Sequence, residues 1–344
     1  SCSHLTHNDG ILKMRRSAGR ICTKSLFTTL CAVGTTLSLA PTTKPPTHTL
    51  DHAARASDKA CATCSDATPS SQRELLRQYA ALADAGTLRA FGWAIALPDA
   101  PPSTLPPGVL TKLTGLPTSA FAPRPTVSPA LYVAAVVLVS MVFGLDVRLV
   151  GALMTSAWLA DSALWGGALG ESAARALRPA YRTTVTQHEA GHFLVALLLG
   201  MPIQACFLNP WDAVTEERLR GAAGTIFFDP ELADSLAAGK LGRSVIDRYS
   251  TVVMGGIAAE AMCNGSAEGG KSDEAALIEL LGSLDGGGSW GAERVKNQAR
   301  WGAAHALLLL RKQRPAFDAL CDALASGQSV GKAVVCVERA LVTD

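Results

Sequence analysis

The sequence predicts a mainly α-helical protein with one short β-hairpin, preceded by one or two apolar helices that are candidates for membrane spans. Three observations predict it. From about residue 171 to 344 the pattern is mostly helical, with Gly327 and Gly331 as breaks near its end. Within that stretch the best strand candidates are IQACFL (203–208) and GTIFF (224–228), separated by polar residues. Ahead of it, ALYVAAVVLVSMVFGL (130–145) runs sixteen residues without a charge.

Taken in order, residues 1–70 read as a targeting or disordered segment. Residues 1–50 hold six Lys/Arg, one acidic residue and fifteen Ser/Thr, the bias of an organelle transit peptide. From Met14 a basic start leads into a short apolar run ending in small residues, which also fits a secretory signal. A plastid bounded by extra membranes would use the two in tandem. Residues 71–96 form an amphipathic helix, with Leu75, Leu76, Tyr79 and Leu82 on one face and Gly86 as its stop. Residues 97–129 carry nine prolines and read as an extended linker. Residues 130–170 are the apolar, candidate membrane segment. A bilayer needs about 20 apolar residues, and here Asp146 and Arg148 end the first run while Asp161 interrupts the second, so one span or a short helical hairpin is expected.

The chain has 344 residues, 48% hydrophobic and 17% charged, with a net charge of +2. That is enough for a real core, and the scattered basic residues exclude a nucleic-acid surface. Nine cysteines follow no disulfide framework, and the lone C-x-x-C of Cys61 and Cys64 cannot complete a four-thiolate zinc site.

The chemistry is concentrated in TTVTQHEAGHFLVALLLG (183–200). His188, Glu189 and His192 form H-E-x-x-H. On a helix the two imidazoles lie one above the other and bind one metal ion together, while Glu189 reaches a water on that ion as general base. Zn2+ suits such nitrogen and oxygen ligands and lowers the pKa of water to about 7. The longer motif with a third histidine is excluded, because Val195 and Leu198 occupy the places of its Gly and His. Glu216, Glu217 or a later aspartate is then the third ligand. His305 has no partner at ligand spacing and reads as packing.

A second stretch, MGGIAAEAMCNGSAEGGKSDEAALIEL (254–280), contains a literal phosphate-loop match in Gly265, Gly270, Lys271 and Ser272. A phosphate loop must follow a buried strand. Here the preceding run has helical spacing, and Asp273 and Glu274 repel a phosphate, so no nucleotide site is expected.

These two stretches resemble the FtsH-type zinc metalloproteases, peptidase family M41. HEAGH matches that family's active-site helix, and Gly255, Gly256, Ala258, Ala259 and Glu260 match its later segment. Ser272-Asp273 stands where the family has Asn-Asp, 81 residues beyond His192, and the resemblance gives Asp273 the role of third zinc ligand. It covers roughly 180–285 and implies that 171–344 is a zincin-like metallopeptidase domain with C-terminal helices, cutting protein or peptide substrates and associated with a membrane. An extended substrate would add as a strand to the hairpin edge. The C-terminal tail resembles a plant and algal FtsH-like subgroup that lacks the ATPase module, which together with the biased N-terminus implies a plastid location. No ATPase motif is recognisable in residues 1–180, so a separate ATPase or FtsH-type partner is implied. The alternative is a non-proteolytic assembly or scaffold protein of an organelle membrane that keeps the fold.

Overall fold

A computed structural model describes residues 46–63, 68–95, 105–124, 129–216, 219, 223–239, 241–282 and 290–342. The targeting segment up to residue 45, Cys64 and Glu217 lie outside the described residues. The protein is mainly helical with one small antiparallel sheet.

The chain enters as α1 (Thr47–Thr63), where the sequence reading expects no structure. Leu50, Ala53, Ala54 and Ser57 are buried at helical spacing. Such a small-residue face is barely hydrophobic in sequence and is held by tertiary packing. It lies against the last helix, α15 (Val330–Ala340), so closely that a Cβ on Gly331 would come within 2.1 Å of the Ala54 carbonyl oxygen. Asp58 fixes the pair: its Oδ1 accepts the Gly331 N–H at 2.7 Å, and Ser329 Oγ donates to Oδ2 at 2.8 Å.

Helix α2 (Pro69–Asp84) is the expected amphipathic helix, shorter at its C-terminal end than the sequence suggests. Thr68 caps it and Leu75 and Tyr79 are buried. The described part of the proline-rich stretch is not extended. It forms α3 (Pro107–Thr114) and a 3-10 turn (Thr118–Phe121), with Leu105, Leu110, Ala120 and Phe121 in the core. Proline is tolerated because Pro107 opens the helix, where no N–H partner is needed.

Next come α4 (Pro129–Phe143), α5 (Val147–Leu164) and α6 (Ala168–Leu177). The first two form a hairpin, and Asp146 caps α5 by accepting the N–H groups of Arg148 and Leu149. Asp161, a charge in an apolar run, is buried because its two oxygens accept the Leu169 and Gly170 N–H groups at the start of α6. Among the described residues no helix is long and apolar enough to cross a membrane.

Helix α7 (Pro179–Leu198) is the axis of the core, with Phe193, Leu194, Val195, Ala196, Leu197 and Leu198 all fully buried. Beside it lie β1 (Ile203–Phe207) and β2 (Gly224–Phe227), which pair antiparallel, Cys206 opposite Thr225. The strands fall where the sequence places them. Between them sits α8 (Pro210–Val214). After β2 come α9 (Pro230–Ala237), α10 (Arg243–Val253), α11 (Gly255–Asn264) and α12 (Lys271–Gly282). Helices α13 (Ala292–Lys312) and α14 (Arg314–Ala325) back them and lead to α15.

One crossing positions the site. Helices α7 and α11 meet through Gly191 and Gly255. A Cβ on Gly191 would lie 2.4 Å from the Gly255 carbonyl oxygen, so only glycine permits this approach.

Candidate metal centre

His188 and His192 lie one turn apart on α7, and both are buried. Their Nε2 atoms are 3.1 Å apart. Asp273, in the first turn of α12, sets Oδ2 3.0 Å from His188 Nε2 and 3.2 Å from His192 Nε2. The structure thus brings together the three residues expected as ligands. They are a group of potential metal-binding side chains whose ligand atoms all lie within 4.8 Å of one another. Glu216 is not in this group.

The outer ring nitrogens determine what the inner ones offer. His192 Nδ1 is 2.8 Å from the Val252 carbonyl oxygen, which only accepts, so Nδ1 carries the proton. His188 Nδ1 is 2.7 Å from Glu260 Oε1 and donates to that carboxylate. In the neutral rings both Nε2 atoms therefore turn a lone pair toward Asp273 Oδ2. Three acceptors at this separation repel unless a cation lies among them. Zinc with bonds of about 2.0–2.1 Å in tetrahedral geometry sets its ligands about 3.3 Å apart, close to what is seen. The donor set fits zinc, and the ring N–H partners are those that orient metal-binding histidines.

Protons compete with a cation for the same position. Burial opposes charge on His188 and His192, yet Asp273, joined at His188 by Glu260, outweighs it and raises both pKa values. Burial likewise opposes charge on Asp273, but His192 and His188 drive its pKa far below the carboxylate range. Glu260 is lowered too: burial is outweighed by His188 and the N–H groups of Glu268 and Gly269. Glu189 behaves differently, since burial pushes its pKa up.

Glu189 is buried, and its Oε2 accepts a hydrogen bond from Thr225 Oγ1 on β2 at 2.9 Å. The strand thus steers the carboxylate. Cys206 is close by, 3.4 Å from the same hydroxyl. Burial, with Glu189 adding to it, pushes this thiol up to about 12, and Cys206 is not in the group of potential ligands.

The glycine-rich turn positions Asp273. Gly265 ends α11 at φ 73°, and Gly270 opens α12 at φ 88° with Ile257 against it. Glu260 Oε2 accepts the Glu268 N–H at 2.6 Å, and the Gly269 N–H bonds to the same carboxylate. The proline-rich segment holds the turn from outside: Ala267 N–H donates to Ala120 O at 2.9 Å and Arg124 N–H to Ala267 O at 3.2 Å. The phosphate-loop match is therefore one of letters only. A helix precedes it where a strand is needed, and two of its N–H groups belong to Glu260.

Glu260 and Thr225 are the functional side chains the sequence reading gives no role. A carboxylate inside the apolar run GGIAAEAM signals a buried partner, whereas nothing in GTIFF marks Thr225. His305 is far from ligand geometry, packed edge-on against Trp301 with centroids 5.1 Å apart. Cys61 donates its thiol to the Ile203 carbonyl at 3.3 Å.

Compared with protein-family models, curated proteins and solved structures, the chain finds no match.

Proposed function

We propose that this chain is a zinc-dependent metalloendopeptidase with a zincin-like domain of the FtsH-type, M41 kind. The observation that carries the reading is the convergence of His188 Nε2, His192 Nε2 and Asp273 Oδ2 beside a buried Glu189. Bound zinc would acidify a water molecule and polarise the substrate carbonyl.

The chain's own residues do the rest. His188, His192 and Asp273 hold the ion, and Glu260 and the Val252 carbonyl fix the two rings in the required tautomer. Thr225 engages Glu189 Oε2, leaving Oε1 to take a proton from the attacking water and pass it to the departing amine nitrogen. An extended peptide would run along the β-hairpin, where backbone groups at an open strand edge can pair with it.

The test is Glu189→Gln in purified protein, with zinc content and casein cleavage measured together, with and without chelator. The expected result is zinc retained and cleavage lost by about 10²–10⁴-fold, the usual contribution of a general base. Wild-type protein that binds zinc but cuts nothing favours the scaffold reading. Wild-type protein that binds no metal removes both the cofactor and the activity.

A further inference from the structure

Among the described residues, most of the exposed large apolar side chains lie between Leu131 and Leu177. They belong to the α4–α5 hairpin and α6. Helix α4 packs on α5, and α5 on α4 and α6, with no extensive packing of the hairpin on the body. Met141 is 78% exposed, Phe143 69% and Trp158 63%. At 3.6 residues per turn, Leu138 and Phe143 point about 140° apart around α4, so the apolar surface is not a single stripe.

Several hydroxyls of the hairpin are satisfied within it. Tyr132 Oη lies 2.7 Å from Thr155 Oγ1, Thr155 Oγ1 donates to Gly151 O at 2.8 Å, and Ser140 Oγ donates to Val136 O at 2.8 Å. Hydroxyls satisfied within the element, on helices apolar around most of their surface, are what a hydrocarbon solvent demands.

We infer that the α4–α5 hairpin is inserted in the lipid of one membrane leaflet. The helices have 15 and 18 residues, so about 22 and 27 Å, short of a hydrocarbon core of about 30 Å. Asp146 and Arg148 sit exposed at the turn, where deep insertion would carry both charges into hydrocarbon. The hairpin therefore lies along the interface. Asp146, Arg148, Trp158 and Trp165 stand at headgroup level, and Leu138, Met141 and Leu153 reach the acyl chains. Neither zinc nor peptide cleavage enters this inference.

The experiment is flotation of the full chain with phosphatidylcholine vesicles, beside light scattering without lipid. Wild-type protein should float, and Leu138→Asp combined with Met141→Asp should lower the floated fraction at least about tenfold. Both positions are exposed, and far-UV circular dichroism verifies that the double variant is folded. As a second readout, brominated lipid should quench tryptophan fluorescence less after Trp158→Phe. The inference is overturned if wild-type protein stays with the lipid-free fraction, or if the double variant floats equally well. It is also overturned if the chain is a stable dimer that the double variant dissociates, since a second copy then covers the hairpin. Loss of zinc binding with flotation intact would sink the peptidase proposal and leave this one standing.

Discussion

Glu260 holds His188 from behind: Oε1 lies 2.7 Å from His188 Nδ1, while Oε2 accepts the Glu268 N–H at 2.6 Å. One buried carboxylate thus ties His188 on α7 to the turn that leads into Asp273 on α12. Outer hydrogen bonds of this kind fix the imidazole tautomer and typically change metal affinity about 10- to 100-fold. Glu260→Gln is expected to weaken zinc binding by that factor in a chelator competition. Glu260→Ala should do worse, because it also leaves the Glu268 and Gly269 N–H groups without their acceptor.

Gly256 sits over the same ring. A Cβ there would lie 2.4 Å from His188 Nε2, the atom that faces Asp273. Gly256→Ala is expected to tilt the imidazole and abolish high-affinity zinc binding. Gly191→Ala meets a backbone oxygen that cannot swing aside, so it should cost stability, about 1–3 kcal/mol for overpacking of this kind. Urea unfolding with zinc titration separates the two: metal loss dominates at Gly256, a lower midpoint at Gly191.

Thr225 reaches Glu189 across the gap between sheet and helix. A hydrogen bond to a charged group is worth about 1.5–3 kcal/mol, so Thr225→Val should lower kcat about 10- to 100-fold. KM and zinc content should hardly move. Thr225→Ser keeps the hydroxyl and should recover most of the rate. Equal losses in the Val and Ser variants would mean that the methyl packing matters and the hydrogen bond does not.

How much of this is legible in the sequence differs residue by residue. His188, Glu189 and His192 share one helix, so their geometry follows from the helical period alone. The strands at 203–208 and 224–228 follow from local composition. Asp273 is reachable only through a family resemblance, since an 81-residue separation says nothing about distance. The role of Glu260 depends on the close crossing of α7 and α11 at Gly191 and Gly255, a tertiary fact. Helix α1 escapes notice because its buried face is built from Ala53, Ala54 and Ser57, and the proline-rich segment because burial of Leu110 and Phe121 overrides its composition.

His305 supplies the pH dependence that does not belong to the metal centre. Its imidazole packs edge-on against Trp301, with Nδ1 3.4 Å from Thr251 Oγ1. Burial lowers its pKa to about 4, against a weaker opposing pull from Asp247. The unfolded chain, with an ordinary histidine pKa near 6.5, binds the proton first as pH falls. Stability from the neutral, half-buried ring is thus fully present above about pH 6.5 and drains away as pH drops toward 4. At about 1.4 kcal/mol per pH unit, the loss between pH 7 and pH 5 is at most about 2 kcal/mol. His188 and His192 also titrate, so the comparison is between wild type and His305→Leu, which leaves both of them in place. The variant should unfold at a similar urea concentration at pH 7 and lose less on moving to pH 5. Parallel losses in the two proteins would show that the fold leaves the His305 pKa where the unfolded chain has it.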